Sequence, residues 1–345
     1  MIRTSKIVLY LTVITILVWQ LPWCYNFFAA QSYKVPFTLY STVNGQFISI
    51  DHQAGKGLTG TDEDGNTYTA NQTDRLLPFL YMRQLIADNN LPDSINGVRI
   101  TPRDIQLTNF NFRHVSSEIN LNKANLYHLM ESMSGRVDLE LPDDVFRISS
   151  RGIEFVNAKN NEIEEDKSKQ FTKAMLEKGF TFPARIISGN PSTRKDYDEG
   201  YMIVDNAGKL FHMKQTVGRP YVRHIELEEG FDIKYVFINE FKDKKTIAFI
   251  VDKHNKFYVL ENKSYQLYYT GIDTFNPTED AITIFGNMFD WTVTVNTEHN
   301  VFYYALDANS YSIIKKKTIS IEDNHMGGLT FTSYKDKFVR PRISL

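Results

Sequence analysis

The chain has 345 residues, of which 42% are hydrophobic and 23% charged, so it contains enough apolar material for a sizeable core and too little charge for a disordered protein. The formal net charge of −2 provides no excess of basic residues to offset phosphates, which argues against a nucleic-acid partner. Cys24 is the only cysteine, which excludes an intrachain disulfide and a cysteine-based zinc site.

The first predicted element is a membrane-spanning helix at residues 7–23. These residues are mostly apolar, and with the further apolar residues up to Ala30 the stretch reaches the roughly 17 to 25 residues that cross a bilayer. Arg3 and Lys6 precede it, whereas Lys34 is the only nearby cation after it, so the positive-inside rule places the N terminus in the cytoplasm. We therefore predict a cytoplasmic tail and an uncleaved signal anchor in residues 1–30 of a single-pass protein of the bacterial inner membrane, with the bulk of the chain in the periplasm.

Three alternatives to a permanent anchor remain open. A cleaved signal peptide requires small residues at positions −3 and −1, whereas cleavage after Ala30 would place the bulky Phe28 at −3. A lipoprotein requires a small residue before its lipidated cysteine, but Trp23 precedes Cys24. A buried core helix is disfavoured by the terminal position and the basic start. The anchor is the preferred interpretation.

Two turns are predicted early in the part that follows the anchor. Residues 35–50 are typical of two short strands joined at Asn44-Gly45, because Asn and Gly accept the positive φ angles of a tight hairpin turn. Asp62-Glu-Asp-Gly65 marks a further turn. Aromatic residues make up 13% of the chain, and together with Val, Ile and Thr they favour β structure.

Helical spacing of apolar residues predicts three soluble helices. The clearest covers residues 74–88, with Asp74 as its N-cap and Pro78 near its first turn. A second, short helix is expected at Leu126–Met133, and a third at Lys167–Lys178 with mixed charges on its polar face.

Three segments after residue 195 follow one template, in which an Asp or Asn ends an apolar run and precedes the next apolar pair by five residues. Asp205, Asp252 and Asn296 occupy this position and are 47 and 44 residues apart. That spacing matches a propeller blade of about 40 to 50 residues. Residues 331–338 and 145–155 look like fainter copies. The template predicts a strand, a polar turn and a return strand, repeated.

The expected fold is therefore mainly β with a few helices (α+β), in which the transmembrane helix is followed by a propeller-like ectodomain built of repeated hairpins. Another β-rich sheet or a sandwich remains the alternative, because any meander of hairpins produces similar turns. We assign residues 31–140 to a mixed α/β part and residues 141–345 to the hairpin-repeat part, and the two can form one continuous domain.

None of the eight histidines has a recognised catalytic or metal-binding spacing. His254 and His299 fall in corresponding turns of the repeat, which makes them exposed turn residues rather than a metal pair. His212 and His224 flank a predicted turn and could meet across a hairpin, with a structural role preferred. The sequence identifies no catalytic residue and predicts no metal site and no cofactor.

Acidic clusters also favour structural interpretations. Asp62, Asp64 and Asn66 alternate as calcium ligands do, but Thr67 and Thr73 stand where such a loop needs Gly and Glu, so a plain Asp-Gly turn is preferred. The remaining charged runs are interpreted as solvated turns, caps and an exposed edge strand: Asp143-Asp144, Glu164–Asp166, Glu228-Glu229 and the basic Lys315–Lys317.

Several stretches of the chain resemble an uncharacterised family, a domain of unknown function found in single-span envelope proteins of the Bacteroidota. These stretches are Arg75–Leu85, Leu91–Gly97, Glu131–Arg136, Leu141–Arg147, Gly200–Asp205 and Leu210–Met213. The resemblance implies an inner-membrane anchor, an extracytoplasmic body and an association with an ABC-type export system. It transfers no functional residue, because the family has no established active site.

From these observations we expect a membrane-anchored, extracytoplasmic binding or accessory protein that works beside a membrane partner, such as an ABC-type transport system, and is not an enzyme. The alternative is an envelope hydrolase that acts on glycan or peptide through two carboxylates converging in one cleft at about 5 to 10 Å. A sensor is a weaker idea, since the cytoplasmic tail is only a few residues long. The ligand is not identified by the sequence.

Overall fold

The computed structural model describes residues 2–29, 34–53, 57–121, 123–133, 135, 138–321, 326–332 and 338–344. Six helices form in these residues: α1 Ile2–Phe28, α2 Ala70–Leu76, α3 Met82–Ala87, α4 Pro102–Thr108, α5 Ser117–Asn120 and α6 Glu165–Glu177.

The same residues form 23 strands, so the fold is mainly β, as predicted. They are β1 Phe37–Ser41, β2 Gln46–Gln53, β3 Gly57–Thr61, β4 Thr67–Tyr68, β5 Ser94–Ile95, β6 Val98–Arg99, β7 Phe110–His114, β8 Asp144–Ser149, β9 Gly152–Asn157, β10 Ile186–Gly189, β11 Tyr201–Val204, β12 Leu210–Thr216, β13 Arg219–Ile225, β14 Ile233–Ile238, β15 Thr246–Asp252, β16 Phe257–Glu261, β17 Leu267–Tyr269, β18 Ala281–Gly286, β19 Asp290–Asn296, β20 Asn300–Asp307, β21 Ile313–Ser320, β22 Gly328–Thr332 and β23 Arg340–Ser344.

Helix α1 is 27 residues long, which is longer than the predicted segment at both ends. By length and composition it can cross a membrane, as predicted. The hydroxyls of Thr12 and Thr15 donate to carbonyl oxygens four residues earlier, which satisfies these polar groups within the apolar helix. Ala30, at which cleavage was considered, lies outside the described residues.

The strands form several separate antiparallel sheets, and none of them closes into a barrel within the described residues. Three sheets have four strands in chain order: β1 to β4, β10 to β13 and β14 to β17. A fourth contains β18 to β21, and β7 pairs with its β18 edge, with Phe112 opposite Ile284. Strand β7 thus connects the early part of the chain with the repeat-containing part.

Each of the three strong template segments forms the second and third strands of a separate sheet: β11 and β12, β15 and β16, and β19 and β20. The repeated acid organises the turn between them. Asp205 accepts a hydrogen bond from the Lys209 N–H at 2.8 Å, and Asp252 accepts those of His254 and Lys256. In the turn after Asn296, the hydroxyl of Thr297 accepts the Asn300 N–H instead. Short polar side chains recur because each turn needs an acceptor for its free N–H groups.

The two fainter copies form only two-stranded sheets. The earlier copy, residues 145–155, is the hairpin of β8 and β9, which packs against α6. In the later copy Phe331 belongs to β22, which pairs with β23, and residues 333–337 lie outside the described part of the chain.

The large sheets pack face to face in a row, each joined to the next by an apolar cluster. The clusters include Phe47 with Tyr303, Phe257 with Val293, Leu210 with Ile250, and Phe211 with Phe171 of α6. These side chains are buried, and each apolar side chain of this size contributes about 1.5 to 3 kcal/mol to stability when it leaves water. Strands β7, β14 and β10 are edge strands of three of these sheets.

The structure corrects two of the helix predictions. The predicted helix at residues 74–88 is instead the end of α2, which begins at Ala70, followed by the separate helix α3, because Pro78 interrupts the segment and provides no N–H for a continuous helix. Thr69 rather than Asp74 caps α2, in a capping box with Gln72.

Leu126–Met133 is not a helix. Tyr127 and Phe146 exchange two backbone hydrogen bonds instead, so strand-like pairing prevails over the local helical spacing. The third predicted helix and the first hairpin are confirmed: α6 spans Glu165–Glu177, and the turn between β1 and β2 contains Gly45 at φ +72°.

Candidate functional site

A groove of about 960 Å³ lies where edge strands of three sheets come together. Its walls are β7, β10 and β14, and residues 118–121 and 123–128 line its remaining side. Because these strands lie at the edges of three different sheets, the groove is held by the rigid body of the protein. A concave site of this volume is the preferred place for a ligand.

Aromatic rings form much of the groove wall. Tyr235 packs against Phe237 with ring centroids 4.8 Å apart, and Phe112 packs edge-on against Phe249 at 5.0 Å. The Tyr201 hydroxyl donates to the carbonyl oxygen of His128 at 2.7 Å, which fixes the covering segment to β11. The groove therefore offers rigid, partly apolar surfaces for a ligand.

Two buried nitrogens that line the groove have no hydrogen-bond partner among the described residues: Asn239 Nδ2 and His128 Nδ1. Asn239 is 4% exposed, and its Oδ1 accepts the Thr246 hydroxyl at 2.8 Å, which fixes its amide orientation. A buried donor without a partner costs stability, so the Asn239 amide is poised for an acceptor that enters the groove.

The groove rim is positively charged. Arg113, Lys123 and Arg185 line the groove and are exposed, and none forms an ion pair with a described carboxylate. The exposed acid of the groove, Glu118, is engaged by His114, whose Nδ1 lies 3.0 Å from its Oε2. The rim therefore favours ligands that carry negative charge or polar oxygen atoms.

A buried ionic cluster adjoins the groove at Glu240. Lys195 Nζ lies 2.5 Å from Asp198 Oδ2 and 2.5 Å from Glu240 Oε2. Glu240 also accepts the Glu199 N–H at 2.7 Å, and Asp198 accepts the Gly200 N–H at 2.7 Å. Burial raises the pKa of Glu240, although the Lys195 ammonium opposes this effect.

A second polar network lies at β12, where His212 is buried. A carbonyl oxygen can only accept, so His212 Nε2 donates to Glu199 O and Nδ1 accepts the Tyr265 hydroxyl at 2.7 Å. Burial lowers the pKa of His212 to about 4, so the ring is neutral at pH 7. His212 and His224 do not meet. His212 is opposite Arg223, so alternation along the strands places the two rings on different faces.

The other candidates from the sequence do not converge on the groove. His254 and His299 lie in corresponding turns, as predicted. Asp62 accepts the N–H groups of Asp64 and Asn66 and the Tyr68 hydroxyl, which makes the segment an Asp-Gly turn.

The acidic pairs and the basic run serve as local contacts. Asp144 pairs with Lys167 at 2.6 Å, and Glu165 pairs with Lys169 within α6. Lys315 lies on the edge strand β21, as predicted, and pairs with Glu63. In the described residues no group of three or more His, Cys, Asp or Glu side chains is arranged to hold a metal ion.

The comparison with protein families agrees with the resemblance noted in the sequence. The profile of the DUF4857 family, a domain of unknown function, matches residues 37–306, and all the resembling stretches lie within this range. The chain belongs to the DUF4857 family. No curated protein shows significant similarity to it.

Proposed function

We propose that this protein is a membrane-anchored, extracytoplasmic binding module whose groove holds a polar or anionic part of an envelope partner. The observation that carries the proposal is the groove itself, which combines rigid aromatic walls, a buried unpaired amide at Asn239 and three exposed cations at its rim. Binding sites commonly combine apolar walls with a few convergent polar groups.

The anchor supports a role beside a membrane partner. Helix α1 has the length and apolar composition to span a membrane, and Arg3 and Lys6 at its start support an orientation with the N terminus in the cytoplasm. In this orientation the groove lies in the periplasm. We propose an ABC-type export system as the partner, which rests on what the sequence resemblance implies.

We also propose that the row of sheets is an open, propeller-like array. The equivalent central hairpins, their spacing of 47 and 44 residues and the apolar clusters between successive sheets support this arrangement. In such an array the inner strands line the axis, which is where the groove lies.

An envelope hydrolase is the second candidate, and one observation favours it. Asp198 and Glu240 each have an oxygen 2.5 Å from Lys195 Nζ, so the two oxygens are no more than 5.0 Å apart, and two carboxylates come together as such an enzyme requires. Both carboxylates are engaged by Lys195 and by backbone N–H groups, which favours a structural role. A Glu240→Gln variant that binds glycan but loses all hydrolysis would favour the enzyme instead.

The binding proposal is tested by mild-detergent purification of the tagged full chain from its native membrane. Arg185→Glu reverses a charge at the groove rim, and Arg219→Glu reverses an exposed charge on the outer edge strand β13. We expect R185E to reduce a co-purifying partner at least about fivefold and R219E to leave it unchanged. Equal recovery in both variants, or a chain that always purifies alone, contradicts the proposal.

A further inference from the structure

A second cavity, of about 280 Å³, shares strand β7 with the groove, and Asn111 lines both spaces. It is enclosed by β1, by the connection between α2 and α3, and by the paired strands β7 and β18. Its location between two sheets and a proline-containing connection gives it walls from three distant parts of the chain.

The cavity walls are mainly apolar. Leucine, proline and phenylalanine side chains provide most of the surface: Leu39, Leu76, Leu77, Pro78, Phe79 and Phe285. No charged residue lines the cavity among the described residues. A charged ligand would lose its hydration without a counter-charge, so the walls select a neutral one.

Two polar atoms at the cavity have unused hydrogen-bonding capacity. Asn109 donates through Nδ2 to Phe79 O at 2.7 Å, which fixes its amide, and its buried Oδ1 has no partner among the described residues. Thr292 Oγ1 accepts the Tyr40 N–H at 2.8 Å, which leaves its own O–H to donate to a second group. A hydroxyl or an amide on a ligand can donate to Asn109 Oδ1 and can accept the hydrogen of the Thr292 hydroxyl.

The chain keeps this space from collapsing. The ring of Phe110 lies directly on Gly286, where an added Cβ would come 2.1 Å from the ring. The same ring lines the cavity and stacks on Phe241 with centroids 3.8 Å apart, so Phe110 is held in place between these two residues. Pro78 breaks the α2–α3 segment and directs the carbonyl of Phe79 towards Asn109.

We infer that this cavity is a second binding site, for a small, neutral, mainly apolar molecule that carries a hydroxyl or amide N–H donor. The apolar walls supply the binding free energy, and Asn109 Oδ1 selects the donor. The site does not depend on the function proposed for the groove.

The test is disulfide tethering to the full chain in a Cys24→Ser background. Leu80 lines the cavity mouth and is 39% exposed, so an L80C variant presents a thiol to the cavity. The probes are disulfides that carry a 4-hydroxyphenethyl group, a phenethyl group or a propionate. Mass spectrometry in the presence of competing 2-mercaptoethanol measures the fraction of the protein that carries the probe. Because the probe is captured covalently, its partitioning into detergent micelles is not mistaken for binding. Leu176→Cys on α6, which is also exposed, is the matched control.

We expect the hydroxyphenethyl probe to label L80C at least about fivefold more than the phenethyl probe, and the propionate probe to label it least. L176C shows no such preference, and Asn109→Leu in the L80C background removes the advantage of the hydroxyl. Equal labelling by the two aromatic probes at L80C would mean that the cavity does not recognise the hydroxyl, and this result overturns the inference. A preference that persists in the Asn109→Leu variant also overturns it.

Discussion

Lys195 Nζ lies 2.5 Å from Glu240 Oε2, and this contact joins two loops that are 45 residues apart in the chain. Lys195 lies in the loop before β11 and Glu240 in the loop after β14, so the pair ties two neighbouring sheets together where Glu240 lines the groove. Asp198 completes the cluster on the same ammonium group.

Lys195→Met should strongly destabilise the fold. The variant leaves Asp198 and Glu240 buried near each other without a counter-charge, which typically costs about 3 to 5 kcal/mol of unfolding free energy. Lys242→Met is the matched control, because Lys242 forms an exposed pair with Asp196 at 3.7 Å and should change stability by less than about 1 kcal/mol. Denaturant unfolding of both variants measures the difference in unfolding free energy. Similar losses in the two variants would argue against a stabilising role for the buried ionic cluster.

Asp290 should make stability fall as pH rises from about 4 to 6. Burial raises its pKa to about 6, while Thr42 and Asn287 donate hydrogen bonds to the carboxylate. In this window the folded state keeps a proton that the unfolded state has released, so deprotonation costs the folded state up to roughly 3 kcal/mol. In Asp290→Asn the amide can donate to the Thr42 hydroxyl. Between pH 4 and 6 the free energy of unfolding of the wild type should fall relative to that of this variant. If the two free energies change with pH in parallel, the pKa of Asp290 is not raised.

His212 should have the opposite pH dependence. Its pKa is lowered to about 4 by burial, so below pH 6.5 the unfolded state binds a proton that the folded state does not. Stability is therefore complete above pH 6.5 and declines as pH falls, by about 2 kcal/mol between pH 6.5 and 5. His212→Gln keeps a donor and an acceptor but does not titrate, so it should lose less stability over this range. His254→Gln, in an exposed turn, should follow the wild-type curve.

Gly200 should tolerate substitution far less than Gly230. Both have positive φ, +70° and +80°, so alanine carries a similar backbone cost of about 1 to 2 kcal/mol at either position. At Gly200 an added Cβ would also lie 2.3 Å from Met213 O, whereas nothing lies within 4 Å at Gly230. We expect Gly200→Ala to lose about 2 kcal/mol or more beyond Gly230→Ala in thermal or denaturant unfolding. Equal losses would mean that the backbone at Gly200 moves away freely.

Local sequence patterns predicted the elements whose structure is decided locally. The turn at Asn44-Gly45, helix α6 and the three central hairpins all follow from turn residues or from apolar periodicity within a short window. Asp205 and Asp252 each precede the next apolar pair by five residues, and this shared position correctly identified equivalent turns. In the structure both carboxylates accept N–H groups of their turns.

The features that the sequence did not predict depend on contacts between distant parts of the chain. Residues 126–133 have helical spacing, but pairing of Tyr127 with Phe146 decides their conformation. Strand β7 joins β18 across about half of the chain, and no local pattern indicates this pairing. Asn239 and Glu240 end an apolar strand as ordinary polar residues, and only the packing of the sheets shows that they line a groove.

Site-specific photo-crosslinking in native membranes shows whether the groove holds a membrane partner. A photoreactive residue replaces Asn125, which is exposed in the groove, or Asn262, which lies in the turn between β16 and β17. We predict a discrete crosslinked product from position 125 that is lost in the R185E background and is not formed from position 262. No product from position 125, or the same product from both positions, would contradict it.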